Sequence, residues 1–136
     1  MRGLIPASWS PYLLSVFRIV AAFLFVAHGT QKLFNFPTLS QPMDVHLTSL
    51  LGAAGMIELG GGVLLLLGLF TRPIAFLVAG EMAYAYFHAH AAGGFWPIMN
   101  RGELAVFFCF AWLYIAAAGP GPWSIDALIG RRSAKP

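Results

Sequence analysis

Four stretches of this chain are each apolar over close to the ~20 residues that a helix needs to cross a ~30 Å hydrocarbon layer. They run from Pro11 to Leu33, Leu50 to Phe70, Pro73 to Ala91 and Gly102 to Ala118. A backbone in lipid must satisfy its own hydrogen bonds, so the pattern predicts an all-α polytopic membrane protein built as a bundle of four transmembrane helices. With 59% hydrophobic and 10% charged residues, little room is left for a soluble module, and residues 1–136 read as a single membrane domain.

The connections sharpen this. Only Thr71 and Arg72 separate the second and third stretches, which predicts a tight antiparallel hairpin, with Pro73 in a first turn where its missing N–H is no loss. Gly119-Pro120-Gly121-Pro122 ends the fourth stretch, and Ser124 is placed to cap a short interfacial helix over 124–129. Placing both termini in the cytoplasm puts Arg2, Arg72, Arg131, Arg132 and Lys135 inside and leaves Lys32 and Arg101 as the outer flanking cations, as the positive-inside rule prefers. Trp9, Tyr12, Trp96 and Trp123 fall near helix ends, where an aromatic belt belongs. The expected location is the cell (inner) membrane. Arg2 followed by the apolar run Tyr12 to Ala27 has the outline of a secretory signal. The run continues into His28 and Lys32 without a small-x-small cleavage site, so it reads as a retained first helix.

Two function classes drop out. The net charge of +3 and pI near 9.4 come without a basic stripe interleaved with aromatics, so nucleic acid is not a partner. Cys109 is the only cysteine, which excludes an intramolecular disulfide or dithiol relay, and redox chemistry would need a bound cofactor.

Charges inside apolar stretches are expensive and mark function by default. At ~1.5 Å of rise per residue, Arg18 and Glu81 should both lie roughly 10 to 12 Å above the cytoplasmic boundary. A buried Arg18–Glu81 ion pair is the expected way to satisfy both. The same arithmetic puts Glu58 about 12 Å and His28 about 8 Å below the outer boundary, within reach of each other. Gly55, Glu58 and Gly62 share one helix face, which suits close helix packing. His88 shares a face with Glu81 across Tyr84 and Ala85, Lys32 shares one with His28, and His90 points about half a turn away from Glu81, toward headgroups or the loop. Arg101 and Glu103 sit at the outer end of the fourth helix, where Glu103 also complements the helix dipole. Together His28, Lys32, Glu58, His88, Arg101 and Glu103 are the expected lining of a polar pocket opening to the outer side.

Phe17-Arg18 through His28-Gly29-Thr30-Gln31-Lys32-Leu33-Phe34, then Glu58-Leu59-Gly60-Gly61-Gly62 and Leu67-Gly68-Leu69-Phe70-Thr71-Arg72, resemble the DoxX family of small four-helix membrane proteins. Asn100-Arg101-Gly102-Glu103 and Gly119-Pro120-Gly121 followed by Ser124 and Asp126 look like that family's last two signatures. One departure is Arg101, which stands where the usual Asn-Gly-Gly-Glu pattern has a glycine. The resemblance implies a quinone-linked oxidoreductase subunit, and carries Arg18, His28, Lys32, Glu58, Arg72, Glu103, Ser124 and Asp126 without assigning any a catalytic role. Arg72, Ser124 and Asp126 form its cytoplasmic-face motif.

Three functions fit these residues. In the first, a quinone binds between helices and exchanges protons with His28, His88 or Glu58. The second is a non-catalytic subunit that stabilises a larger membrane complex or a homo-oligomer. The third is a proton-coupled carrier, against which stands the lack of an inverted repeat. Neither haem nor a metal is expected, because no helix carries paired ligands at the spacing of a dedicated site.

Overall fold

The computed structural model describes residues 4–38 and 43–133. Arg2 and Lys135, two of the expected inner cations, lie outside the described residues. A 3₁₀ turn, Ala7–Trp9, leads into α1 (Ser10–Phe34), which is followed by α2 (Leu50–Leu67), α3 (Thr71–Ala85), the short α4 (Pro97–Asn100), α5 (Glu103–Ala118) and α6 (Ile125–Ser133). Among the described residues there is no strand. Two helices, Ala7–Phe34 and Leu50–Leu67, are long and apolar enough to cross a membrane, and Glu103–Ala118 is a shorter apolar helix.

Local chemistry sets the ends. Asn35 terminates α1 in the left-handed region at φ 51°. The Ser49 side chain accepts the Gly52 N–H at 3.1 Å and so caps α2. At the other end of α2, Gly68 turns left-handed at φ 68°, the conformation glycine adopts at no steric cost. The α2–α3 connection is therefore Gly68-Leu69-Phe70, and the expected linker residues Thr71 and Arg72 instead form the first turn of α3. That early start is possible because the Asp126 carboxylate accepts the Phe70 N–H at 2.9 Å and the Thr71 N–H at 2.8 Å, satisfying amides that a helix start leaves open.

α1 packs along α2 and α3 along α5, with a smaller α2–α3 contact. Glycine allows the first of these approaches. A Cβ on Gly29 would lie 2.6 Å from the Leu59 backbone nitrogen, and one on Gly62 would lie 2.8 Å from Val26, so any larger residue would push the helices apart. The core contains Phe25, Leu65, Val78, Phe108, Trp112 and Ile115, with Phe108 and Trp112 stacked at 6.1 Å. Outward positions are also apolar: Phe23, Phe76, Phe107 and Phe110 are each 60% exposed or more.

The expected Arg18–Glu81 ion pair does not form, since α1 lies beside α2 and not beside α3. Arg18 is fully buried and donates to Leu66 O at 2.8 Å, to Pro120 O at 2.9 Å, and to the carbonyls of Leu65 and Trp123. Leu65 and Leu66 belong to the last turn of α2, whose carbonyls lack an i+4 amide inside the helix; Leu65 O also takes the Gly68 N–H at 3.2 Å, and a guanidinium carries enough donors to gather several such carbonyls. Arg72 does the same for α5, donating to the carbonyls of Ala116, at 2.9 Å, and Ala117. Ser124 accepts the Ala127 N–H at 3.1 Å and donates to Gly121 O at 2.8 Å, which caps α6. Arg18, Arg72, Ser124 and Asp126 thus knit one end of the molecule by capping helix termini.

Candidate functional site

At the other end, α1, α2, α3 and α5 enclose a cavity of about 250 Å³. Its polar lining is His28, Lys32, Glu58, His90 and Arg101, and its apolar walls include Phe25, Met82, Leu104 and Phe108. Lys32 Nζ lies 2.5 Å from both carboxylate oxygens of Glu58, with Lys32 17% and Glu58 3% exposed. Among the described residues this is the only ion pair. Two charges taken this far out of water persist only with close, charge-assisted hydrogen bonds. Gly55 helps to set the pair, because its missing side chain leaves room 3.1 Å away for the Lys32 Cβ.

The pair differs from the expected Glu58–His28 contact. Lys32 takes the carboxylate, and His28, half-buried, packs edge-on against Phe108 with ring centres 6.0 Å apart. His28 and Glu58 therefore share the cavity without bonding to each other.

Two expected members are elsewhere. His88 remains on the face of Glu81 and stacks on Tyr84 at 5.2 Å; both residues line a separate groove between α2 and α3. Glu103, exposed in the first turn of α5, borders a shallow surface depression beside Phe17 and Phe107, consistent with a helix-dipole role.

His90 enters the cavity in their place. After Ala85 the helix continues as one π turn, Tyr86–His90, in which Ala91 N–H bonds to Tyr86 O. Closing i→i+5 bonds adds about one residue to the turn, which rotates His90 inward from the outward direction that regular α geometry predicts. Its Nδ1 lies 3.1 Å from Asn100 O.

Asn100 organises this end of the cavity. It is buried, donates to Gly94 O at 2.8 Å and Tyr86 Oη at 3.2 Å, and accepts the Gly102 N–H at 2.8 Å. The last bond is an Asx turn, for which Asn-x-Gly is a legible signal; the π turn behind His90 has none. Arg101 between them adopts φ 60°, the left-handed backbone that explains why glycine suits this position. Its exposed side chain stands at the cavity rim. Gly102 is required for space, since a Cβ there would lie 2.6 Å from the Tyr86 ring.

The arrangement offers an ammonium donor, a carboxylate acceptor and two imidazoles around a small volume with aromatic walls. It can hold a flat, polar-edged molecule and move protons at its edge. At the capped end, partial burial raises the Asp126 pKa, but the Thr71 and Phe70 N–H groups and the Arg18 charge outweigh this and hold the carboxyl below its ordinary value.

In comparisons with known proteins, residues 13–91 match the DoxX family model. The chain is 43% identical over 122 residues to an uncharacterized protein of Haemophilus influenzae, covering 87% of this chain and 91% of that one. It is 31% identical over 126 residues to the inner membrane protein YqjF of Escherichia coli, covering 86% and 92%. To the uncharacterized membrane protein Rv3486 of Mycobacterium tuberculosis it is 25% identical over 132 residues, covering 85% and 80%. No solved structure matches the chain.

Proposed function

The chain belongs to the DoxX family of membrane proteins, and from that premise we propose that its cavity binds the headgroup of a membrane quinone, as part of a quinone-linked oxidoreductase. In this reading it is a four-helix bundle of the cell (inner) membrane, with α1, α2, α3 and α5 as the spans and both termini cytoplasmic. Several observations support that placement. A relative bears the name inner membrane protein, and large apolar side chains cover the outer surface, at a cost in water that lipid does not impose. The helical run Thr71–His90 reaches spanning length once its π turn is included, and α5, at about 24 Å, asks only for modest local thinning of the bilayer.

The Lys32–Glu58 pair inside an aromatic-walled cavity carries the functional reading. A quinone ring is flat and presents a carbonyl at each end. Phe25 and Phe108 contribute to an apolar aromatic wall, and Lys32, His28 and His90 offer donors. Glu58, already in contact with Lys32, provides a proton acceptor beside the donor, an arrangement suited to exchanging protons with a carbonyl oxygen. At about 250 Å³ the cavity suits a single ring, with an isoprenoid tail left in lipid.

Purified protein is expected to carry co-extracted quinone, and its apo form to bind a short-chain benzoquinone saturably in nanodiscs. Lys32→Met and Glu58→Ala should each weaken that binding at least tenfold. If no quinone is extracted and none binds, the reading fails, and co-purification of a larger membrane partner would then favour a non-catalytic subunit.

A further inference from the structure

The groove between the outer half of α2 and the later turns of α3 is distinct from the cavity, although Ala85 borders both. It encloses about 550 Å³ and is walled by Leu51, Ile57 and Leu77, with Glu81, Tyr84 and His88 along one side. Glu81 Oε2 is buried and has no hydrogen-bond partner. Glu81 closes the third turn of α3, about 15 Å along the helix from Thr71, which in the proposed four-span arrangement puts it near mid-bilayer, in a groove whose rim residues Leu51, Leu77 and Tyr84 are all exposed.

A carboxylate at that depth is costly without a counter-charge. Among the described residues no cation forms an ion pair with Glu81. Lys32 on α1 is bonded to Glu58 on α2 instead. On its own helix, Glu81 is followed by Tyr84 and His88, stacked nearly parallel at an interplanar angle of 12°. The groove therefore has an acceptor without a cation, aromatic faces beside it, and apolar walls open to lipid.

We propose that this groove is a binding site for a lipophilic organic cation, with Glu81 as its counter-ion and the Tyr84–His88 stack as its aromatic wall. Charge complementarity selects the occupant. A plain acyl chain would use the leucines but leave Glu81 unpaired. A cation with apolar substituents satisfies the carboxylate, gains attraction from the ring faces and enters laterally from the bilayer. The inference stands on the groove alone and does not depend on quinone binding in the cavity.

Tetraphenylphosphonium is the probe, titrated into the protein in lipid nanodiscs, with neutral triphenylphosphine oxide as the control for aromatic bulk. Saturable binding of the cation, at least tenfold tighter than the neutral compound, is expected on the wild-type chain. Glu81→Gln should weaken it tenfold or more and Tyr84→Leu severalfold, with short-chain benzoquinone failing to displace it. Equal binding of the neutral compound, or undiminished cation binding by folded Glu81→Gln, overturns the proposal. The first comparison uses wild-type protein and so holds whether or not the variant folds.

Discussion

Lys32 on α1 and Glu58 on α2 form a buried ion pair at 2.5 Å, on a glycine-lined contact where the two helices approach closely enough for one ammonium to meet both carboxylate oxygens. Breaking a buried pair by removing one partner strands the other charge, at a typical cost of 3 to 5 kcal/mol. Glu58→Ala should therefore lower thermal stability in detergent by an amount of that order. Glu58→Gln keeps a carbonyl acceptor for Lys32 and should lose clearly less. Equal losses for the two variants would remove the hydrogen-bonded role from Glu58.

Arg18 serves four carbonyls at once, and lysine cannot. A lysine ammonium has three donors on a stem without the planar fork, so Arg18→Lys gives up at least one of these charge-assisted bonds, at about 1.5 to 3 kcal/mol. A lowered unfolding temperature together with faster proteolysis near Gly119–Trp123 is expected. Wild-type behaviour on both counts would show that the carbonyl cluster contributes little.

Asp126 makes stability depend on acid pH. Its folded-state carboxyl titrates below its ordinary value, so the ionised form is the one that folding favours. That contribution is fully present above the unfolded-state pKa of about 4 and is lost as pH falls through the lower folded-state value. Unfolding curves measured from pH 6 down to pH 3 should show the wild type losing stability and Asp126→Asn, already lower at pH 6, changing less. Parallel curves would contradict this.

Arg101 holds a left-handed backbone at φ 60°, which costs a non-glycine residue on the order of 1 kcal/mol. Arg101→Gly should raise the unfolding temperature modestly while removing a cation from the cavity rim. A fall in stability would mean that the guanidinium contributes more than the backbone strain costs.

Much of this was legible in the residues themselves. Apolar runs bounded by proline and glycine located the main helices, because spacing and breakers act locally. The Ser124 cap is readable from the Gly119–Pro122 break before it, and helical rise puts Glu58 at about the depth of His28, with Lys32 one turn above His28, without saying that Lys32 takes the carboxylate. Pairings were harder, because depth says which residues lie at one height but not which helices are neighbours. Arg18 and Glu81 agree in calculated height, yet α1 lies against α2, and the terminal carbonyls of α2 take the guanidinium in place of a carboxylate on a helix that α1 does not flank. His90 departs from the outward direction of a regular helix because one π turn, Tyr86–His90, re-aims the side chains that follow it. Asn100 shapes the loop through its Asx bond to Gly102, a role that the Asn-x-Gly spacing makes readable.

The most direct test of the central claim is photolabelling with an azidoquinone in native membranes, followed by peptide mapping. Binding in the cavity predicts label on the segments bearing Phe25–Lys32 and Leu104–Phe108, suppressed by excess unlabelled quinone and by Glu58→Ala. Label confined to the Glu81 groove, or spread over the lipid-facing surface without competition, would contradict it.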